Sequence, residues 1–485
     1  MIAHVSILRA SSDRRFAPAT RTSSHWGGAV DVAALLMVTV VAAALRLFRL
    51  GRPAQLIFDE VYYAKDACWY VKAAETLCGT GGEQTAVHPP LGKWLIGAGI
   101  ELFGYDPFGR RVAAVAAGTL TIALTYVLGR RLLGSTMGAL IGAGLLALDP
   151  LHFVQSRVAM LDVFVTGLGV AVFLFLVLDR QAERRPWRPW LAGAGAAAGA
   201  SLATKWSGAL VVVAAPVMVL IWDAGAARSR GERSPLAATL RRDGPVVALW
   251  LVALPAAVYA VGYIGRLDGA LVAAPWEQGT WLRALVERQL FMFDFHSNLS
   301  DTHAYQSPPW SWPLLKRPVS YYFEVTGSGD YKEVLATGSP LVWWSSLLAL
   351  GAAAWSWLRW RDPDRPEGVI LAGFAWSYAP WFLLAGDRSA VFLFYLLPAL
   401  PFMCLALALV AVRASRTSGG AAVVGSFCVV AALLFAFYFP LLSGTALPYQ
   451  AWRARIWRFD SCQEVAQPEK TGSGDELPPT GWCWI

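Results

Sequence analysis

Runs of about 18–25 mostly apolar residues recur from one end of the chain to the other. The first, VDVAALLMVTVVAAALRLF, occupies residues 30–48. A run of that length crosses the hydrocarbon core of a bilayer as a helix, because lipid offers no partner to an open backbone N–H or C=O. The chain must therefore fold as an all-α polytopic membrane protein. Composition agrees: 56% of its 485 residues are hydrophobic and only 15% are charged, more apolar surface than a water-soluble fold hides. The net charge of +8 is not a nucleic-acid footprint, since the basic residues fall mostly in short loops between apolar runs.

About eleven spans are expected. They lie near residues 30–48, 111–129, 135–153, 158–178, 189–204, 206–222, 244–264, 341–358, 368–385, 391–412 and 421–442. The stretch LGKWLIGAGIELFG at 91–104 is short for a span and should lie at the membrane surface or dip into it. Residues 1–29 hold arginines and no apolar core, so they are expected to be a cytosolic tail rather than a cleaved signal. With the N-terminus inside, the loops DRQAERRPWR, RSRGERSPLAATLRRD, RWRDPDR and VRASR, together with Arg130 and Arg131, all become cytosolic, as the positive-inside rule requires. The segments 49–110, 265–340 and 443–485 then lie outside, around a membrane domain spanning 30–442.

This frame sorts the cysteines. Cys68 and Cys78 share the first outer segment, and Cys462 and Cys483 share the tail; closely spaced pairs on an oxidising side suit disulfides. Neither pair has the spacing or the histidines of a zinc site.

Polar residues gather on the same outer boundary. Asp59 and Glu60 follow the first span in QLIFDEVYYAKDACWY; His88 and Lys93 lie in AVHPPLGKW; Arg157 and Asp162 lie in SRVAMLD. Lys205 lies in ATKWSG, Arg388 in AGDRSAVFLFYLLP, and His303, Tyr305 and Trp310 in FHSNLSDTHAYQSPPWSWPL. Charge at a membrane boundary is costly, so a convergence of it suggests an outward-facing anion site, with Lys and Arg around a phosphate. The bland readings are that the cations snorkel to lipid headgroups, the histidines cap loops, the aromatic residues form an interfacial belt and the acid pair is simply solvated. One acid pair is too short a pattern to define a metal site.

In their order and topology, FDEVYYAKDA, HPPLGKW, SRVAMLD, HAYQSPPWSWPL, GSPLVWW and RSAVFLFYLLPALPF resemble the motifs of protein O-mannosyltransferases, and more closely their actinobacterial members. The resemblance runs from about residue 30 to 460. It implies a GT-C glycosyltransferase fold and transfer of mannose from a polyprenyl-phosphate carrier to Ser or Thr hydroxyls. The MIR domains of eukaryotic relatives do not fit into residues 265–340. The resemblance assigns Asp59 as general base, with Glu60 orienting the acceptor or the loop. Arg157, Lys205, Arg388 and Lys93 are the candidates for holding the donor phosphate, and His88, Asp162, His303, Tyr305 and Trp310 those for binding substrate. GSPLVWW is expected to border the lipid chain. No cofactor or divalent metal is expected. The implied partners are polyprenyl-phosphate mannose, secreted acceptor proteins, membrane lipids and the secretion translocon.

Two other readings fit the same residues. Another GT-C enzyme would move arabinose or aminoarabinose, or place mannose on a glycolipid. A transporter or flippase would also have many spans and buried charge, but it commonly shows paired halves, and no such symmetry is visible. A non-catalytic scaffold has no use for charge concentrated on one face.

Overall fold

A computed structural model of the chain describes residues 28–72, 74–79, 85–183, 185–264, 281–299, 303, 305–360, 365–385 and 390–456. Arg388, Cys462 and Cys483 lie outside the described residues, as does nearly all of the N-terminal tail. The elements in chain order are α1 (Ala29–Leu47), α2 (Glu60–Val71), α3 (Glu75–Cys78), α4 (Leu91–Phe103), α5 (Pro107–Leu133), α6 (Thr136–Ala147) and α7 (Pro150–Gln155). Then come α8 (Asp162–Gln181), α9 (Pro189–Thr204), α10 (Ala209–Ser229), α11 (Pro235–Ala248), α12 (Leu254–Gly262) and α13 (Trp281–Asn298). The strands β1 (Val319–Val325) and β2 (Tyr331–Ala336) precede α14 (Pro340–Trp360), α15 (Pro366–Tyr378), α16 (Trp381–Leu384), α17 (Leu400–Ala414), α18 (Gly420–Leu442) and α19 (Tyr449–Arg453).

Among the described residues, 8 helical segments are long and apolar enough to cross a membrane. They are α1, α5, α8, Trp206–Ser229 containing α10, Pro235–Gly262 containing α11 and α12, α14, Leu393–Ala414 containing α17, and α18. The other three expected spans correspond to α6, α9 and α15, helices of 12, 16 and 13 residues. At 1.5 Å per residue these are shorter than the roughly 30 Å hydrocarbon core, so a count of eleven full spans is not confirmed. The 13-residue α4 occupies the stretch expected at the surface. The chain is a multi-pass membrane protein with a mostly helical fold.

Local chemistry sets the helix ends. Asp106 accepts from the Gly109 N–H at 2.7 Å ahead of Pro107, and Gly134 closes α5 in the left-handed region. Asp149 caps α7 by accepting from the N–H groups of Leu151 and His152. Close packing is made possible by small residues: a Cβ at Gly195 of α9 would stand 1.8 Å from the Trp250 carbonyl oxygen, so glycine lets the two backbones meet. The segment Leu393–Ala414 is 83% buried and forms the centre, whereas α18 is 17% buried and lies at the rim.

The mostly helical fold carries one small β element. β1 and β2 form an antiparallel hairpin with an irregularity between Ser320 and Tyr322, and Tyr331 bridges to Leu447. The first outer segment, the large outer segment and the C-terminal stretch also touch one another. Arg288 donates to the Ala86 carbonyl at 3.0 Å and Trp452 donates to Glu333 at 2.8 Å. Three segments expected on one side of the membrane thus meet at one end of the bundle. Cys68 and Cys78 are joined by a disulfide there, while Cys404 and Cys428 are free thiols within spans.

Candidate active site

Asp59 and Glu60 stand at the start of α2, where the chain turns back from the end of α1. Their side chains enter different surroundings. Glu60 is fully buried, and Arg111 of α5 grips it with two hydrogen bonds, Nε to Oε1 at 2.7 Å and Nη2 to Oε2 at 2.8 Å. The Ile57 and Ala159 N–H groups also donate to it, at 3.1 and 3.0 Å. Arg111 spends its remaining donors on the carbonyls of Leu50, Pro53 and Gln55. Glu60 is therefore a staple for its own loop.

Asp59 is half-buried and faces the other way. The Tyr63 hydroxyl, one helical turn on, hydrogen-bonds to it. Lys205 and Asp162 are within electrostatic reach. Burial, opposed in part by Lys205, pushes the Asp59 carboxyl up to about 6.

Lys205 owes its place to a break in the chain. Its backbone is extended (φ −155°, ψ 142°) between α9 and the tight turn Trp206–Gly208, so the side chain leaves the helix rather than following its face. Its Nζ donates to both Asp162 oxygens at 2.9 Å and lies 4.7 Å from the centre of the Tyr395 ring. A lysine over an aromatic face and against one carboxylate keeps its charge under burial. Tyr63, Tyr321 and Tyr395 close the group around Asp59 and Asp162. A narrow cleft leaves Asp162 and runs between Val165 and Phe173 of α8, Val211 of α10 and Phe402 of α17.

Of the three described cations expected at a phosphate, Lys205 is the one the structure brings near Asp59. Lys93 is fully buried and pairs with Asp66 at 2.9 Å. Arg157 donates to the carbonyls of Leu45, Arg46, Phe48 and Arg49, capping the open end of α1. Both are committed to backbone or carboxylate partners; Arg388 falls outside the described residues. His88 packs against Tyr63 with ring centres 5.7 Å apart. His303 packs on Phe392 at 5.1 Å and Tyr305 on His303 at 5.6 Å; burial pushes the His303 imidazole below its ordinary range. Trp310 is 53% exposed with Lys316 over its ring, and no contact joins it to Asp59. GSPLVWW does not border the cleft: Asp149 accepts from the Ser339 N–H at 3.3 Å and from Trp343 Nε1 at 2.8 Å, tying the segment to α7.

Sequence reasoning missed Tyr63, Tyr321, Tyr395 and Arg111. Tyr63 had a readable signal, four residues after Asp59 at a helix start. Among the described residues no group of three His, Cys, Asp or Glu side chains converges as metal ligands do.

Residues 281–461 match the family profile described as the C-terminal four TMM region of protein-O-mannosyltransferase, and residues 36–110 and 87–241 match profiles described as dolichyl-phosphate-mannose-protein mannosyltransferase. A polyprenol-phosphate-mannose–protein mannosyltransferase of Mycolicibacterium smegmatis is 32% identical over 480 residues, covering 87% of this chain and 91% of the relative. Its counterpart in Mycobacterium tuberculosis is 30% identical over 476 residues, covering 87% and 90%. Among solved structures, the S. cerevisiae protein O-mannosyltransferase Pmt1-Pmt2 complex bound to the sugar donor superposes with a TM-score of 0.70 at 16% identity, covering 88% of this chain and 92% of that one. ArnT from Cupriavidus metallidurans in the apo state reaches 0.54 at 19% identity, covering 84% and 65%. These likenesses place the fold among the GT-C glycosyltransferases, and the chain belongs to the protein O-mannosyltransferase family.

Proposed function

We propose that the protein transfers mannose from a polyprenyl-phosphate mannose to Ser or Thr hydroxyls of proteins at the outer face of the plasma membrane, with its N-terminus in the cytoplasm. The observation that carries the reading is one half-buried carboxylate, Asp59, near a lysine bound to Asp162, which lines a mostly apolar cleft. The orientation is supported by the arginine-rich loops at the opposite end of the bundle. A donor carried on a lipid suits this arrangement: its chain lies along the cleft and its phosphate comes to Lys205, while the acceptor approaches from water.

The acceptor oxygen attacks the anomeric carbon as the bond from that carbon to the phosphate oxygen breaks, inverting its configuration. The hydroxyl proton passes to Asp59. The bonding electrons leave with the polyprenyl phosphate, whose developing charge Lys205 meets. Asp162 and Tyr395 hold the lysine in place, and Glu60 holds the loop. His88, His303 and Tyr305 border the acceptor side. Protein partners in secretion and independence from divalent metal belong to this proposal: a chelator should leave the rate unchanged.

The test is transfer of labelled sugar by the purified protein in nanodiscs, with polyprenyl-phosphate mannose and a Ser/Thr-rich peptide. Labelled peptide is expected. Label moved from polyprenyl-phosphate arabinose, or onto glycolipid and not peptide, would replace this reading by another lipid-dependent glycosyltransferase.

A further inference from the structure

The residue before the base carries a conformation that needs an explanation. Phe58 has φ of 47°, in the left-handed region that a bulky L residue enters only at a cost. A glycine would take it freely. Something about the phenyl ring must offset the strain, and its surroundings show what. The ring stacks on Tyr321 of β1, centres 4.3 Å apart and planes within 9°. Phe394 and Phe392 meet it edge-on at 5.8 and 6.2 Å, and His303 does so at 6.1 Å. Such offset and edge contacts are the favoured aromatic arrangements. Tyr321 is itself fixed, buried and accepting a hydrogen bond from Gln155 Nε2 at 2.7 Å. Three distant parts of the chain therefore converge on the residue preceding Asp59, and α7 braces one of them through Gln155.

We propose that Phe58 is a positioning residue: its ring, locked in the box formed by Tyr321, Phe392, Phe394 and His303 and braced by Gln155, forces the turn that aims the Asp59 carboxylate at the acceptor. This rests on Asp59 being the base. The turn is held from both sides, because Glu60, on the far side of Asp59, is pinned by Arg111 and Ala159. Backbone strain kept at a functional site by surrounding packing is a known means of fixing a reactive group, and an error of about 1 Å in such a group can cost about a hundredfold in rate. The box also ties the base to the large outer segment and to the stretch ahead of α17, so acceptor contacts there reach Asp59 through Phe58.

The test compares Phe58→Gly, Phe58→Tyr, Tyr321→Phe and Gln155→Leu with wild type and Asp59→Asn in nanodiscs, each checked for a monodisperse, folded sample. Phe58→Gly relieves the backbone strain and removes the ring. It should lower kcat by at least tenfold with the KM for the lipid donor unchanged, and move the acid limb of the pH profile toward lower pH as Asp59 becomes solvated. Phe58→Tyr should restore most of the rate. Tyr321→Phe and Gln155→Leu should each lower kcat a few-fold, again without a change in donor KM. A Phe58→Gly kcat within twofold of wild type, or a loss confined to donor KM, overturns the inference. If Phe58→Gly does not fold, Gln155→Leu decides: a lowered kcat with unchanged donor KM supports the clamp and an unchanged kcat overturns it. An active Asp59→Asn would instead overturn the reading of Asp59 as base, and this inference with it. An inactive Asp59→Asn beside a fully active Phe58→Gly would overturn this inference alone.

Discussion

Both ends of the helical bundle bury charge, and they use it differently. At the end carrying the arginine-rich loops, the acids are closed into ion pairs between helix termini. Asp31 of α1 pairs with Arg130 of α5 at 2.9 Å and Arg188 donates to Asp223 at 2.6 Å while also pairing with Asp179. Glu367 of α15 accepts from Arg413 and Arg365. A cavity of about 490 Å³ lies there, lined by Asp179, Arg180, Arg188 and Asp223 among others, so it is balanced in charge. At the other end Glu60 with Arg111 and Lys93 with Asp66 repeat this pattern, but Asp59 departs from it. Its cationic neighbour Lys205 is already bound to Asp162, and its carboxyl is pushed up to about 6. Paired charge fixes helix ends; a carboxylate left with its proton affinity raised can accept a proton.

The two adjacent acids should respond most strongly to substitution, and in different ways. Asp59→Asn should lower turnover by roughly 10²–10⁴-fold, the usual contribution of general base catalysis, with the protein still folded and the donor still bound. Glu60→Gln leaves Arg111 buried beside a neutral partner. It should cost about 3–5 kcal/mol of stability, seen as a lowered melting temperature, and lose activity as a consequence. At the opposite end, Arg188→Met strips Asp179 and Asp223 of their partner and should destabilise by a comparable amount or less. The folded fraction should keep wild-type kcat and the same pH profile; a changed profile would mean that the two ends are not separate in function.

A smaller effect concerns Glu333 of β2, buried with its carboxyl pushed up to about 7 by burial. The folded state then holds a proton that the unfolded state releases between about pH 4.5 and 7. Stability from this group is present below that window and is lost as pH rises through it. Glu333→Gln should therefore gain in melting temperature relative to wild type as pH rises from 5 to 8. A constant difference across that range would show that Glu333 does not titrate.

The multi-pass, mostly helical character was legible because apolar length reports directly on lipid. The convergence of Asp59, Asp162 and Lys205 at one boundary was legible for the same reason. The split between Asp59 and Glu60 was not, since neighbours on a turn point apart in ways set by Arg111, fifty residues on. The partners of Lys93 and Arg157 were not legible either, because sequence reports charge but not contacts; Asp66 and the carbonyls at the end of α1 meet them only in the folded chain. The hairpin SYYFEVTGSGDYKEVLA did carry strand-like runs around a Gly and Asp turn, a signal overlooked among so many helices. Phe58 carried none, because a positive φ at a phenylalanine follows from the rings around it.

The pH dependence of kcat/KM for mannosyl transfer to a Ser/Thr peptide tests the proposed role of Asp59 most directly. A carboxylate acts as base only when ionised, so with Asp59 in the proposed role the rate should be level above the value near 6 and fall about tenfold per pH unit below it. A rate that stays constant down to pH 4.5 in folded protein would contradict a raised, proton-accepting Asp59.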